Sequence, residues 1–287
     1  MARKVILAEP HGFCSGVRHA IEIAEKTVAA SSGPVYGLHE LVHNRLVVDS
    51  LSASGMRFVD DIAEVPDGGT VLFSAHGVSP AVREAAATRG LKIIDATCVF
   101  VKRVHDAVQS LTAQGLHILL IGNRNHDEVV GVSGEAPESV TVVETPAEAE
   151  TVEVPDPKKV ALLTQTTLAA YQIDPILIIL KRRFPSLVVS GKSGICAATT
   201  VRQEAVRELA RKCPLVLVLG SRNSANSNRL VDVARSEGVR AELVPDISAL
   251  RDFIVSGGLG DATPIGVTAG ASTPEHVVRD AMAVLRE

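Results

Sequence analysis

The chain has no tryptophan, only two tyrosines and six phenylalanines, and four cysteines with no close C-x-x-C pair. It has no apolar stretch approaching the length of a bilayer-spanning helix, and no excess of positive charge, the formal net charge being -4. Each absence excludes something. Without paired cysteines the usual zinc-site spacing is missing. Without a basic balance there is no footprint for nucleic acid, so any anion site is local. Without a long apolar run no membrane span is expected. Met1-Ala2-Arg3-Lys4 leads straight into an apolar run rather than a signal peptide, which makes the expected location cytoplasmic. Four scattered cysteines argue against a disulfide framework and for metal or redox chemistry.

What is present is Ala, Val and Leu in short runs, which suits an α/β protein with buried parallel strands. A length of 287 residues predicts about two domains, or three small ones. One pattern recurs along the chain: an apolar run, a polar loop often containing glycine, then an amphipathic stretch. Val71-Leu72-Phe73 leads to Ser74-Ala75-His76-Gly77 and a helix over 80–89. Ile118-Leu119-Leu120-Ile121 leads to a loop holding His126 and Glu128, and Val160-Ala161-Leu162-Leu163 leads to Thr164-Gln165-Thr166-Thr167 and a helix over 171–183. Leu215-Val216-Leu217-Val218-Leu219 leads to the string 220–228 and a helix over 229–237, and Ile265-Gly266-Val267 leads to a turn with Ser272. Such alternation predicts βα units, whose ligands bind beyond the carboxyl ends of the strands.

The cysteines divide the chain. Cys14 lies in a glycine-flanked turn between Val5-Ile6-Leu7-Ala8 and a helical stretch, and Cys98 and Cys196 repeat that placement. Their spacing predicts three modules, 1–97, 98–195 and 196–287, with a cysteine at each seam. A thiol at a helix start favours the thiolate. Three such thiolates suit an iron–sulfur cluster with one iron lacking a protein ligand, the alternative being ordinary buried cysteines. Cys213, ahead of a buried strand, reads as packing. His43, His76 and His126 sit in polar loops where an imidazole can meet phosphate or relay protons. His39 supports His43 at most, His11 and His19 tune Cys14 or face solvent, and His105, His117 and His276 read as structural or exposed.

Ser224, Asn226 and Ser272 are helix caps or a phosphate cradle. Thr199 and Thr200 read as caps of a helix over 201–212. Glu128 is a proton donor or a solvated loop acid, and Thr166 and Thr167 hold a substrate hydroxyl or merely end a strand. The acidic stretch 137–157 reads as a surface connection flanking an edge strand. Gly191-Lys192-Ser193 imitates a phosphate-binding loop, but Ser186 stands where that motif needs glycine.

Together these motifs resemble the 4-hydroxy-3-methylbut-2-enyl diphosphate reductase (LytB) family over almost the whole chain. The likeness rests on Gly12-Phe13-Cys14, His39-Glu40-Leu41-Val42-His43-Asn44, Phe73-Ser74-Ala75-His76-Gly77-Val78, Asp95-Ala96-Thr97-Cys98, His126-x-Glu128, Thr164-Gln165-Thr166-Thr167-Leu168, Ile195-Cys196, Asn223-Ser224-x-Asn226-Ser227-Asn228-Arg229-Leu230 and Gly266-Val267-Thr268-Ala269-Gly270-Ala271-Ser272. The resemblance implies three α/β modules with mostly parallel sheets in a pseudo-threefold cloverleaf around a [4Fe–4S] cluster. Three cysteines, here Cys14, Cys98 and Cys196, would hold that cluster and leave one iron open. It implies removal of an allylic hydroxyl to give isopentenyl and dimethylallyl diphosphates, and a ferredoxin or flavodoxin as electron donor; charge and the short apolar runs already speak against a nucleic-acid or membrane partner. Carried over by position, His43, His76, His126, Ser224, Asn226 and Ser272 bind the diphosphate. Glu128, Thr166 and His126 serve the chemistry. The chain departs from the family's usual residues at His19, Val99, Phe100, Ala197, Val201 and Ala225. Those departures leave open a paralogue of shifted specificity. Beside the reductase stand a non-catalytic iron–sulfur sensor and a zinc-bound phosphate-binding protein.

Overall fold

The structure, a computed structural model, describes residues 3–189 and 194–287. Gly191-Lys192-Ser193 therefore lies outside the described residues. The chain runs β1 (Val5–Leu7), α1 (Ser15–Ala30), β2 (Val35–Leu38), α2 (Arg45–Ala53), β3 (Met56–Val59), β4 (Thr70–Phe73), α3 (Pro80–Thr88) and β5 (Lys92–Asp95). It continues with α4 (Val99–Ala113), β6 (His117–Ile121), α5 (Asp127–Ser133), β7 (Val140–Val143), α6 (Pro146–Thr151), β8 (Val160–Thr164), α7 (Ala170–Arg183) and β9 (Val188–Val189). The last part is α8 (Ala197–Ala210), β10 (Leu215–Leu219), α9 (Ala225–Ser236), β11 (Arg240–Val244), α10 (Ile247–Val255), β12 (Ile265–Ala269) and α11 (Glu275–Arg286).

Among the described residues twelve strands form three four-stranded sheets, ordered β1-β12-β10-β11, β3-β2-β4-β5 and β7-β6-β8-β9. Every pairing is parallel. These are the expected α/β modules. Parallel strands need a crossover, and the alternating helices supply it. With helices over the sheets, inner strands such as β8, β10 and β12 are buried along their whole length. Leu215, Leu217 and Leu219 face a core shared with Val278, Ala281 and Met282 of α11. Cys213 is buried nearby, and its Sγ lies 3.3 Å from where Gly266 would carry a Cβ. Burial pushes that thiol above its ordinary pKa, as inert packing requires.

The chain forms two compact units: Met1–Arg18 with Val42–Ser50 and Ala197–Glu287, and His19–Leu41 with Leu51–Cys196. The first holds one sheet and the second holds two. These two units are a coarser division than the three sheets. β1 pairs with β12 rather than with strands of 1–97, because a parallel edge needs a partner of matching register and Val5 finds Ile265. Two helices also start earlier than their sequence suggests. α8 begins at Ala197, so Thr199 and Thr200 lie in its first turn rather than capping it. α9 begins at Ala225, because the Ser224 side chain accepts from Ser227 N and caps it there. The 137–157 stretch, expected to flank an edge strand, contains one, β7, and α6 besides. Among the described residues no helix is long and apolar enough to cross a membrane.

Candidate functional site

One construction occurs three times. Cys14, Cys98 and Cys196 each stand immediately before a helix, α1, α4 and α8, in the loop leaving an edge strand, β1, β5 and β9. Each cysteine's backbone N–H donates to a carbonyl two residues beyond the neighbouring strand. Cys14 bonds Ala271 O at 3.0 Å, Cys98 bonds Ala75 O at 3.0 Å and Cys196 bonds Thr166 O at 3.1 Å. Sequence shows no strict repeat here, yet backbone geometry repeats because three parallel sheets pose the same problem at the same edge.

The placement decides the chemistry of the sulfurs. All three cysteines are partly exposed, Cys213 is buried, and none of the four is in a disulfide. The Cys14 sulfur accepts from Val17 N at 3.4 Å, an amide in the first turn of α1. Iron–sulfur ligands must be thiolates, so Cys14, Cys98 and Cys196 fit that role and the buried Cys213 does not. Gly194 shows how tightly one loop is drawn: its φ is +100°, and a Cβ there would fall on the Thr164 carbonyl. Only glycine lets the segment reach Cys196 over β8.

In the unit holding Leu51–Cys196, Cys98 is braced by Asp95. That carboxylate accepts from Thr97 N at 2.9 Å and pairs with Arg83 at 3.0 Å and Lys102 at 3.2 Å. Burial works to raise its pKa, but the Thr97 hydrogen bonds and the two cations outweigh it and hold the group at about 2. A depressed carboxylate stabilises the fold above the unfolded-state pKa and loses that contribution as pH falls toward 2. Asp95→Asn is therefore expected to cost about 2 kcal/mol at neutral pH, less solvent screening. Urea denaturation should show the gap from the unsubstituted protein closing between pH 4 and 2; a gap constant with pH would refute the assignment.

The same unit assembles four of the predicted residues. His126 caps α5, and its Nδ1 accepts from Glu128 N at 3.1 Å, which places the ring hydrogen of the neutral imidazole on Nε2. The His76 and His126 rings meet edge to face at 5.5 Å. Asp127, which sequence reasoning did not single out, lies 3.7 Å from His76 Nδ1. Glu128 is no solvated acid: it is 2% exposed. Its Oε1 accepts from Thr166 N at 2.7 Å and its Oε2 from Thr166 Oγ1 at 2.8 Å. Because Thr166 O also receives Cys196 N–H, Thr166 stands between the acid and a cysteine. Gln165, likewise not singled out, is buried and ties Asn123 N to the Thr167 hydroxyl.

The other unit assembles His43, Ser224, Asn226 and Ser272 with Cys14. Ser272 Oγ donates to His43 O at 3.0 Å. Asn226 Oδ1 accepts from Ala271 N at 2.9 Å, the same residue whose carbonyl holds Cys14. Asn226 Nδ2 is a buried donor with no partner among the described residues. Such an orphan at a helix N-terminus is what an anion would satisfy. Ser224 is both the expected cap and a member of this group. Arg202 Nη2 donates to Gly12 O at 2.7 Å, drawing the Cys14 loop onto α8; nothing in its sequence setting marked it.

A family model described as LytB protein matches residues 5–286. A curated relative from Acidothermus cellulolyticus is 47% identical over 99% of this chain and 83% of its own length, and one from Neisseria gonorrhoeae is 46% identical over 99% and 87%. Both bear the name 4-hydroxy-3-methylbut-2-enyl diphosphate reductase. The solved E-1-hydroxy-2-methyl-but-2-enyl-4-diphosphate reductase from Plasmodium falciparum superposes with a TM-score of 0.95 at 36% identity, covering 100% of this chain and 89% of that one. A second solved structure, of the reductase described as the terminal enzyme of the non-mevalonate pathway, gives 0.70 at 31%, covering 98% of each chain.

Proposed function

The chain belongs to the LytB family of 4-hydroxy-3-methylbut-2-enyl diphosphate reductases, and from that premise we propose how its residues divide the reaction. The enzyme removes the allylic hydroxyl as water, consuming two electrons and two protons, and leaves isopentenyl or dimethylallyl diphosphate. Cys14, Cys98 and Cys196 are the ligands of a [4Fe–4S] cluster. When bound, such a cluster supplies electrons singly and, at an iron without a cysteine, Lewis acidity toward oxygen. The repeated tether of the three cysteines supports this reading above everything else.

His43, His76, His126, Ser224, Asn226 and Ser272 hold the diphosphate. His126 offers its Nε2 hydrogen and Asn226 its buried Nδ2, both aimed by a bond at the other end of the side chain. Thr166 meets the substrate hydroxyl. With Glu128 protonated, the Glu128–Thr166 bond reverses: the carboxyl donates to Oγ1, which then passes its own hydrogen onward. A small carrier, ferredoxin or flavodoxin, delivers the electrons, and a charged diphosphate substrate supports a cytoplasmic setting.

Anaerobic purification with iron and sulfide counted, followed by assay with a chemical reductant and the diphosphate alcohol, tests the whole. Brown protein that forms both alkenyl diphosphates is expected. Binding without product would mean a sensor, and a colourless zinc protein would overturn the cluster. The anion half has its own check. Asn226→Ala should weaken inhibition by pyrophosphate about tenfold. Asn226→Asp keeps the bond to Ala271 N but turns a carboxylate oxygen toward the anion, so it should bind more weakly still. An aspartate variant that binds as well as the parent would remove Asn226 from the site.

A further inference from the structure

His105 reads from sequence as a structural or exposed helix residue, but in the structure it joins α4 to the end of α5. Its Nδ1 lies 2.6 Å from Glu135 Oε1, and Gln109 Nε2 donates to Glu135 Oε2 at 2.7 Å. The His105 and Glu135 side chains are only 10% and 6% exposed. Since both carboxylate oxygens accept, the ring hydrogen sits on Nδ1. The other ring nitrogen, Nε2, is buried with no hydrogen-bond partner among the described residues. It points instead at the His76 loop, 2.8 Å from where Gly77 would carry a Cβ.

That loop is gripped from two sides. On the α4 side Gly77 also faces Thr97 and Val101, at 3.2 and 3.4 Å from the same position, and Ala75 O holds Cys98 N. On the α5 side a Cβ on Gly131 would stand 3.3 Å from Gly77 O, and one on Gly134 would meet the Ser79 side chain. Gly77 itself has a φ of +77°. The spacing of α4 and α5 therefore sets where His76 points, and a polar link spans it, from the buried His105 through the Glu135 carboxylate to the exposed Gln109.

We propose that His105 and Glu135 are positioning residues of the reductase: a clasp that holds α4 against α5 and thereby aims His76 at the diphosphate. Neither residue touches substrate. The inference rests on the reading of His76 as a diphosphate ligand. Misplacing a positioned group by about 1 Å can cost on the order of a hundredfold, so a smaller shift of His76 is expected to cost about tenfold.

The test uses the cluster-loaded enzyme, with inorganic pyrophosphate as competitive inhibitor. His105→Ala and Glu135→Ala are each expected to raise the substrate KM and the pyrophosphate inhibition constant about tenfold, with kcat within about threefold. Iron and sulfide content should be unchanged. Glu135→Gln still accepts Nδ1–H and can pair its amide with that of Gln109, so it should stay within about twofold of the parent. If His105→Ala does not fold, the two Glu135 variants carry the test. A clasp that serves only stability would lower the melting temperature and leave KM and inhibition unmoved, which would overturn the proposal. His76→Ala is run alongside. If it weakens pyrophosphate while the clasp variants do not, the clasp alone is wrong. If it has no effect either, the reading of His76 fails and the clasp's role falls with it.

Discussion

Glu128→Gln is expected to cut turnover by about 10²- to 10⁴-fold, the range for loss of a positioned acid, while the protein keeps its cluster absorption and its KM. The geometry allows so selective a result. Glutamine can keep its carbonyl on Thr166 N, where Oε1 now accepts at 2.7 Å. Its amide then faces Thr166 Oγ1, which turns to accept where it now donates at 2.8 Å. The buried pair keeps both of its hydrogen bonds, so the unfolding penalty should be small. Only the titratable proton is gone. Steady-state assay beside a visible spectrum checks this. Turnover within about threefold of the parent would strip Glu128 of its role, and a lost spectrum would show that the pair is structural to the cluster's setting.

Replacing the cysteines one at a time should separate three of them from the fourth. Cys14→Ala, Cys98→Ala and Cys196→Ala are each expected to lose the brown colour, most of the iron and sulfide, and all activity. Their side chains are only partly buried, so the apoprotein fold should change little. Cys213→Ala should show the reverse. It keeps colour and turnover but opens a small gap against Gly266 and Leu209, costing about 1 kcal/mol. Anaerobic reconstitution with elemental analysis decides the matter. Full iron and sulfide in any of the first three variants would remove that cysteine from the ligand set.

Most of the architecture was legible because parallel strands leave a strong local signature. Runs such as Leu215-Val216-Leu217-Val218-Leu219 are apolar on both faces, and only a doubly covered sheet accepts that. Helix starts were less legible. Asn226 and Ser227 read as part of a loop because their side chains compete for backbone groups, yet both sit in the first turn of α9, behind the expected cap Ser224. The two residues of the clasp show the same limit. His105 and Glu135 lie on separate segments with no local mark, and only packing brings them to 2.6 Å.

By itself the amino-acid order determined the alternating α/β class, the loops that follow the strands, and which polar and thiol side chains stand in them. Those depend on short-range pattern: apolar runs, turn residues, and a cysteine before a helix. Tertiary structure alone decided that β1 joins β12, that Thr166 stands between Glu128 and Cys196, and that Asn226 spends its oxygen on Ala271 while its buried nitrogen has no partner among the described residues. Each of these pairs residues far apart in the chain. Their bonds exist only once the strands have found their neighbours, so no local stretch of sequence contains them.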